Sequence, residues 1–277
     1  MTCLLVLSAT YLLLQFLYGF LVEGVHALDR RAIPPPQPLT RTPASPTPIG
    51  TAVLIHGFAD TPTTWQREAD WLANHGYRVI APLLSHESTE AEWLPTAIRA
   101  LQTARAQGGH LLLIGHSMGG ALALAAAATC PPDSLLLWAP FFAPHLGQRL
   151  VPLLYALHRL LFLWPRTFTF FPALRTAHGT PTFTYRVQRT LPVHTFAAML
   201  RIPRLARRAC PPPCPTLLLL PHRDTVVQTA ATRQALPTIP TRMAQNATSS
   251  HALPNAADWR ENLIACLEQL QVPLARS

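Results

Sequence analysis

At 277 residues the chain suits one ordinary domain with an appendage, or two small domains. Hydrophobic residues make up 49% and charged residues only 13%, about half the usual quarter, so part of the chain is expected to meet something other than water. A net charge of +9 raises the question of nucleic acid, but the basic residues are all arginines; they are scattered apart from Arg201, Arg204, Arg207 and Arg208, which read as a solvated helix face, and no nucleic-acid motif accompanies them.

Residues 3–22 form an apolar run of about membrane-spanning length, and residues 1–31 are expected to be an N-terminal hydrophobic anchor, a single transmembrane helix. The competing reading is a secretory signal peptide, since Val25-His26-Ala27 offers small residues at cleavage positions. No basic residue precedes the run and Arg30 and Arg31 follow it, which by the positive-inside rule puts the rest of the chain on the cytoplasmic side. Residues 32–50, AIPPPQPLTRTPASPTPIG from position 32, read as an extended proline-rich linker.

From residue 51 to 277 short apolar runs alternate with helical stretches. TAVLIHGF is a buried strand entering a loop, residues 64–74 have apolar side chains at helical spacing, and YRVIAPLL is a second strand. Residues 90–106 are helical. HLLLIGHS is a third strand running into the small-residue helix GGALALAAAA. SLLLWAP and TLLLLPHRD are further strands, and residues 259–270 form a closing amphipathic helix. The alternation predicts an α/β fold, a mostly parallel central sheet flanked by helices. Between the last two strands, at about 141–210, an aromatic, proline-interrupted insertion breaks the rhythm and is expected to form a cap beside the working face.

The strongest motif is Gly115-His116-Ser117-Met118-Gly119, a G-x-S-x-G sequence between a predicted strand and a predicted helix. That context is what a nucleophile elbow needs: a sharp strand-to-helix turn that exposes the serine, with glycines where backbones pass closely. Serine needs a base to take its proton. Such folds order the triad as serine, acid, histidine, and His251, in the loop before the last helix, fits best; His222 is the runner-up. Between Ser117 and His251 the acidic residues are Asp133 and Asp224. Asp133 precedes its strand and so lies at the wrong end of the sheet, whereas Asp224 follows one. A tetrahedral intermediate needs oxyanion donors, and the backbone N–H groups of Met118, after the nucleophile, and Phe58, in the loop after the first strand, are the candidates.

Taken together, HGFADTPTTW, GHSMGG, HRDTVV and SSHALP resemble the carboxylesterase and monoacylglycerol-lipase branch of the α/β-hydrolase superfamily, also labelled serine-aminopeptidase-like, over about residues 51–272. The resemblance implies that these motifs supply the oxyanion loop, nucleophile, acid and base, that a helical cap lies between the strands SLLLWAP and TLLLLPHRD, and that neither metal nor organic cofactor is needed. The segment SHESTEAEW lacks the G-H-G-x-S loop common in monoacylglycerol lipases. The five cysteines are too sparse for a disulfide framework and have no zinc-ligand spacing. The expected activity is hydrolysis of carboxylic esters, hydrophobic or lipid-like, through a Ser-His-Asp triad and an acyl-enzyme. Acyl transfer or amide cleavage by the same triad, and an inactive membrane-tethered binding protein, stay open. The expected partners are a small-molecule or lipid ester and, through the N-terminal segment, a membrane.

Overall fold

Four runs of leucine, valine and isoleucine are too apolar to face water on either side, and they become the middle of one sheet. The computed structural model describes residues 2–32, 36–145, 153, 156–158, 161–162, 164–168, 190–210, 212–246 and 251–275. Strands β1 (Leu39–Arg41), β2 (Gly50–Ile55), β3 (Tyr77–Ala81), β4 (His110–His116), β5 (Ser134–Trp138), β8 (Thr216–Leu220) and β9 (Thr241–Met243) form a sheet in the order β1-β3-β2-β4-β5-β8-β9. Every pairing is parallel except that of β1 with β3.

Successive side chains of a strand point to opposite faces, and each central strand feeds two separate cores. Val53, Ile55, Leu111, Leu113, Leu135, Leu137, Leu218 and Leu220 pack on one side with helices α3 (Glu90–Ala106), α4 (Met118–Ala127) and α5 (Val193–Arg208). Ala52, Leu54, Leu112, Ile114, Leu136, Trp138, Leu217 and Leu219 pack on the other with α2 (Gln66–Asn74) and α7 (Trp259–Gln269). A short helix α6 (Thr229–Ala235) links β8 to β9.

Two features depart from the expectations. Within the proline-rich stretch 32–50, Leu39–Arg41 adds an antiparallel edge strand to β3, so part of that stretch is sheet. Within the insertion, β6 (Arg166–Phe168) and β7 (Thr190–Pro192) pair as a separate two-stranded sheet, and α5 returns the chain to the core. Residues 169–189 of the insertion lie outside the described residues. On α5 the four arginines do share the exposed face; Arg201 pairs with Glu90, and Arg207 stacks on Phe142 at 5.5 Å. The N-terminal segment is a single helix, α1 (Thr2–Ala32), with Val6–Leu28 long and apolar enough to cross a membrane.

Candidate active site

β4 ends at His116 and α4 begins at Met118, so a single residue makes the turn between them. That residue is Ser117, at φ 55° and ψ −123°. A side-chain-bearing residue is strained there, and the strain persists only because the surroundings hold it. They do so through close packing and backbone bonds. A Cβ at Gly115 would overlap the Gly119 carbonyl, and one at Gly119 would overlap the carbonyls of Ile55 and His56. Ser117 N donates to Trp138 O at 2.9 Å, while Phe141 N donates to Ser117 O at 2.9 Å.

The other expected members converge on this serine from separate loops. His251 lies between β9 and α7, and its Nε2 is 2.9 Å from Ser117 Oγ. Its Nδ1 is 2.9 Å from Asp224 Oδ2, in the loop after β8. All three side chains are buried. The geometry assigns the tautomer: Nδ1–H donates to the carboxylate, leaving Nε2 to accept from the serine hydroxyl. Asp224 Oδ1 accepts from Val226 N at 2.8 Å and Val227 N at 2.7 Å. Burial would raise the Asp224 carboxyl, but His251 and these two N–H groups together outweigh it and hold it below the usual aspartate range. The acid loop is pinned in turn by His145 N to Val226 O and Gln228 N to Ala143 O, at 2.9 and 3.0 Å.

The oxyanion candidates sit beside the same serine. Met118 is the first residue of α4, where no preceding turn supplies a carbonyl to its N–H. The His56-Gly57-Phe58 loop passes so close that a Cβ on Gly57 would stand 3.4 Å from Ser117 Cβ. The Phe58 ring is held edge-on by Trp93 and Phe196, with centroids 6.4 and 5.0 Å away, and Ala59 next to it has φ 60°.

Two histidines of the motifs do structural work there. His56 Nδ1–H donates to Gly57 O at 2.9 Å and Nε2 accepts from Leu84 N at 3.0 Å, which fixes the His56-Gly57-Phe58 loop. His116 Nε2–H donates to the carbonyl of His251 at 2.8 Å, so the residue before Ser117 holds the loop that carries His251. Burial pushes each imidazole down to about 3, so both are neutral near pH 7. The motif marks His116 as an elbow residue, but its bond to His251 spans 135 positions and has no local signal. The rejected candidates have other tasks: His222 Nε2 donates to Ala244 O, and Asp133 accepts from Leu111 N and pairs with Arg105. Among the described residues no cluster of three or more His, Cys, Asp or Glu could hold a metal ion.

A mostly parallel sheet with a strained serine at the end of a central strand, and an aspartate and a histidine from later loops bonded in series to it, defines a class. The chain belongs to the alpha/beta hydrolase family, whose profile matches residues 52–262. No curated protein matches the sequence. Among solved structures, a soluble variant of monoglyceride lipase from Saccharomyces cerevisiae bound to a substrate analogue superposes with a TM-score of 0.65 at 14% identity, over 86% of this chain and 92% of that one. Monoacylglycerol lipase from Paleococcus ferrophilus gives 0.63 at 16% identity, over 84% and 97%. A structure of the metagenome-derived lipolytic enzymes LipS and LipT gives 0.63 at 18% identity, over 86% and 98%. At such identities the likeness speaks for the fold.

Proposed function

We propose that the protein is a serine hydrolase of carboxylic esters, acting on hydrophobic or lipid-like acyl esters. The observation that carries the reading is the continuous chain Ser117 Oγ, His251 Nε2, His251 Nδ1 and Asp224 Oδ2, with 2.9 Å at each contact between side chains. His251 takes the hydroxyl proton as Ser117 attacks the ester carbonyl, and Asp224 stabilises the imidazolium without itself becoming protonated. The oxyanion of the tetrahedral intermediate is received by the N–H groups of Met118 and Phe58. Its collapse breaks the bond to the leaving alkoxide, which takes the proton from His251 and departs as the alcohol. Water then attacks the acyl-enzyme with His251 again as base, which frees the acid and restores Ser117. The apolar insertion serves as the cap over this site, and the lipases among the similar structures favour an acyl ester.

The test is hydrolysis of p-nitrophenyl esters of graded chain length by wild type and Ser117→Ala. Activity that rises with chain length and vanishes in the variant supports the reading. A folded wild type inactive on every ester overturns it.

A further inference from the structure

A lone apolar helix at the end of a chain is usually a tether, and its polar residues then need no particular arrangement. Those of α1 have one. Gln15, Tyr18, Val22 and His26, with Gly19 and Glu23 beside them, recur at helical spacing and make one stripe. That stripe is the side that is packed: Val22 is fully buried, and Gln15 and His26 are 8% and 6% exposed.

Each polar member meets a group of the insertion. Gln15 Nε2 donates to Leu161 O at 2.7 Å, and Tyr18 donates to Thr167 Oγ1 at 3.1 Å. His158 Nε2 lies 2.9 Å from the Tyr18 hydroxyl. Trp164 Nε1–H donates to Glu23 Oε1 at 3.1 Å, and His26 Nδ1 is 3.4 Å from Thr190 Oγ1. Gly19 allows this approach, since a Cβ there would stand 2.7 Å from the Trp164 ring. Arg166 then links the pair to the rest of the molecule, 4.0 Å from Glu23 and bonded to Glu87 at 2.6 Å. As an isolated span α1 would hold Gln15, Glu23 and His26 among lipid chains, where such groups are costly. Docked, all three are matched.

The opposite side of α1 is the reverse. Leu12, Leu13, Phe16, Leu17, Phe20 and Leu21 are exposed, Phe20 to 74%, and no charged residue occurs before Glu23. The insertion adds Leu153, Leu157 and Leu161 at four-residue spacing, also exposed. The Leu161 backbone accepts from both Tyr11 and Gln15, so Leu161 adjoins the helix, and Leu157 and Leu153 precede it at four-residue intervals. Soluble surfaces seldom carry a continuous apolar area of this extent.

We propose that α1 is a retained wall of the insertion, and that its outer side and Leu153, Leu157 and Leu161 together form one face that sinks into the acyl region of a lipid bilayer. The helix lies along the membrane interface with its polar stripe turned to the protein, rather than crossing alone. Cleavage at Val25-His26-Ala27 would cut inside the docked helix and strip the insertion of these partners. The inference stands independently of the chemistry at Ser117.

The test is photocrosslinking of the full-length chain, carrying a diazirine amino acid in place of Leu157 or of Phe16, on phosphatidylcholine vesicles. Lipid adducts are expected at both positions. Gly19→Leu, which forces the helix off Trp164, is expected to lower the adduct at position 157 several-fold and to leave that at 16. The intact mass is expected to retain residues 1–27. Adducts at 16 without any at 157 in the otherwise native chain would show a free tether and overturn the proposal. Adducts at neither position, an adduct at 157 indifferent to Gly19→Leu in a variant that keeps its helical circular dichroism, or a mature chain lacking α1 would overturn it as well.

Discussion

Asp133 and Asp224 flank strands of the same sheet at opposite ends, and the contrast shows what placement does to one chemical group. Asp133 precedes β5, is exposed, and holds Leu111 N and Arg105. Asp224 follows β8, is buried, and holds a histidine that reaches a strained serine. Both carboxyls lie below the usual aspartate range despite burial that opposes it, and Asp133 owes this to Leu111 N and Arg105. At the first end of the sheet the carboxylate ties a backbone N–H of β4 and the Arg105 side chain in place. At the second it orients His251 towards Ser117, because the carboxyl ends of parallel strands leave a crevice into which loops converge.

Substitutions that erase this contrast have graded effects. Ser117→Ala is expected to cost on the order of a million-fold in turnover, measured as initial rates on the best p-nitrophenyl ester. Asp224→Asn, which leaves the contacts but loses the tautomer preference, is expected to cost about ten-thousand-fold in kcat. Asp133→Ala is expected to leave kcat unchanged and to lower stability by about 1 kcal/mol, read from urea midpoints. His116→Phe removes the donor to the His251 carbonyl and is expected to lower kcat by up to about a hundred-fold, the scale of a small misplacement of the base. In that variant KM should change little, because His116 is buried behind the base loop.

The smaller prediction concerns Glu68 on α2, fully buried and, among the described residues, with no other residue hydrogen-bonded to its carboxylate. Burial pushes its carboxyl from 4.5 up to about 8. Below pH 4.5 folded and unfolded chains both hold the proton and the stabilisation is full. As pH rises towards 8 the unfolded chain releases a proton that the folded one keeps, so stability falls, by a few kcal/mol at most. His56 and His116, held low by burial, gain stability over part of the same window in both proteins, so the test is the difference: the change in urea midpoint from about pH 5 to about pH 8 should be more positive in Glu68→Gln than in wild type.

How much of this was legible in the sequence follows from the range over which each signal acts. β2, β4, β5 and β8 announce themselves because a strand buried on both faces is apolar at every position. The elbow is legible because its glycines and serine are contiguous. β1 and β9 are three residues each, too short for a period, and β1 lies among prolines. On α5 the spacing of Val193, Phe196 and Met199 is helical, but Pro192 and Pro203 mask it. Ala59 takes a positive φ without the glycine that usually marks one. Long-range matches such as Gln15 with Leu161, or His116 with His251, leave no trace in either local segment.

The proposed chemistry depends on Ser117 becoming a nucleophile through His251. The most direct measurement is the peptide mass spectrum after exposure to a fluorophosphonate, which reacts with activated serines, in wild type and in His251→Ala. A single adduct on the Ser117 peptide, absent from a folded His251→Ala variant, is the predicted result. Labelling at another serine, no labelling of a folded wild type, or labelling that survives loss of His251 would contradict a Ser117 nucleophile activated by His251.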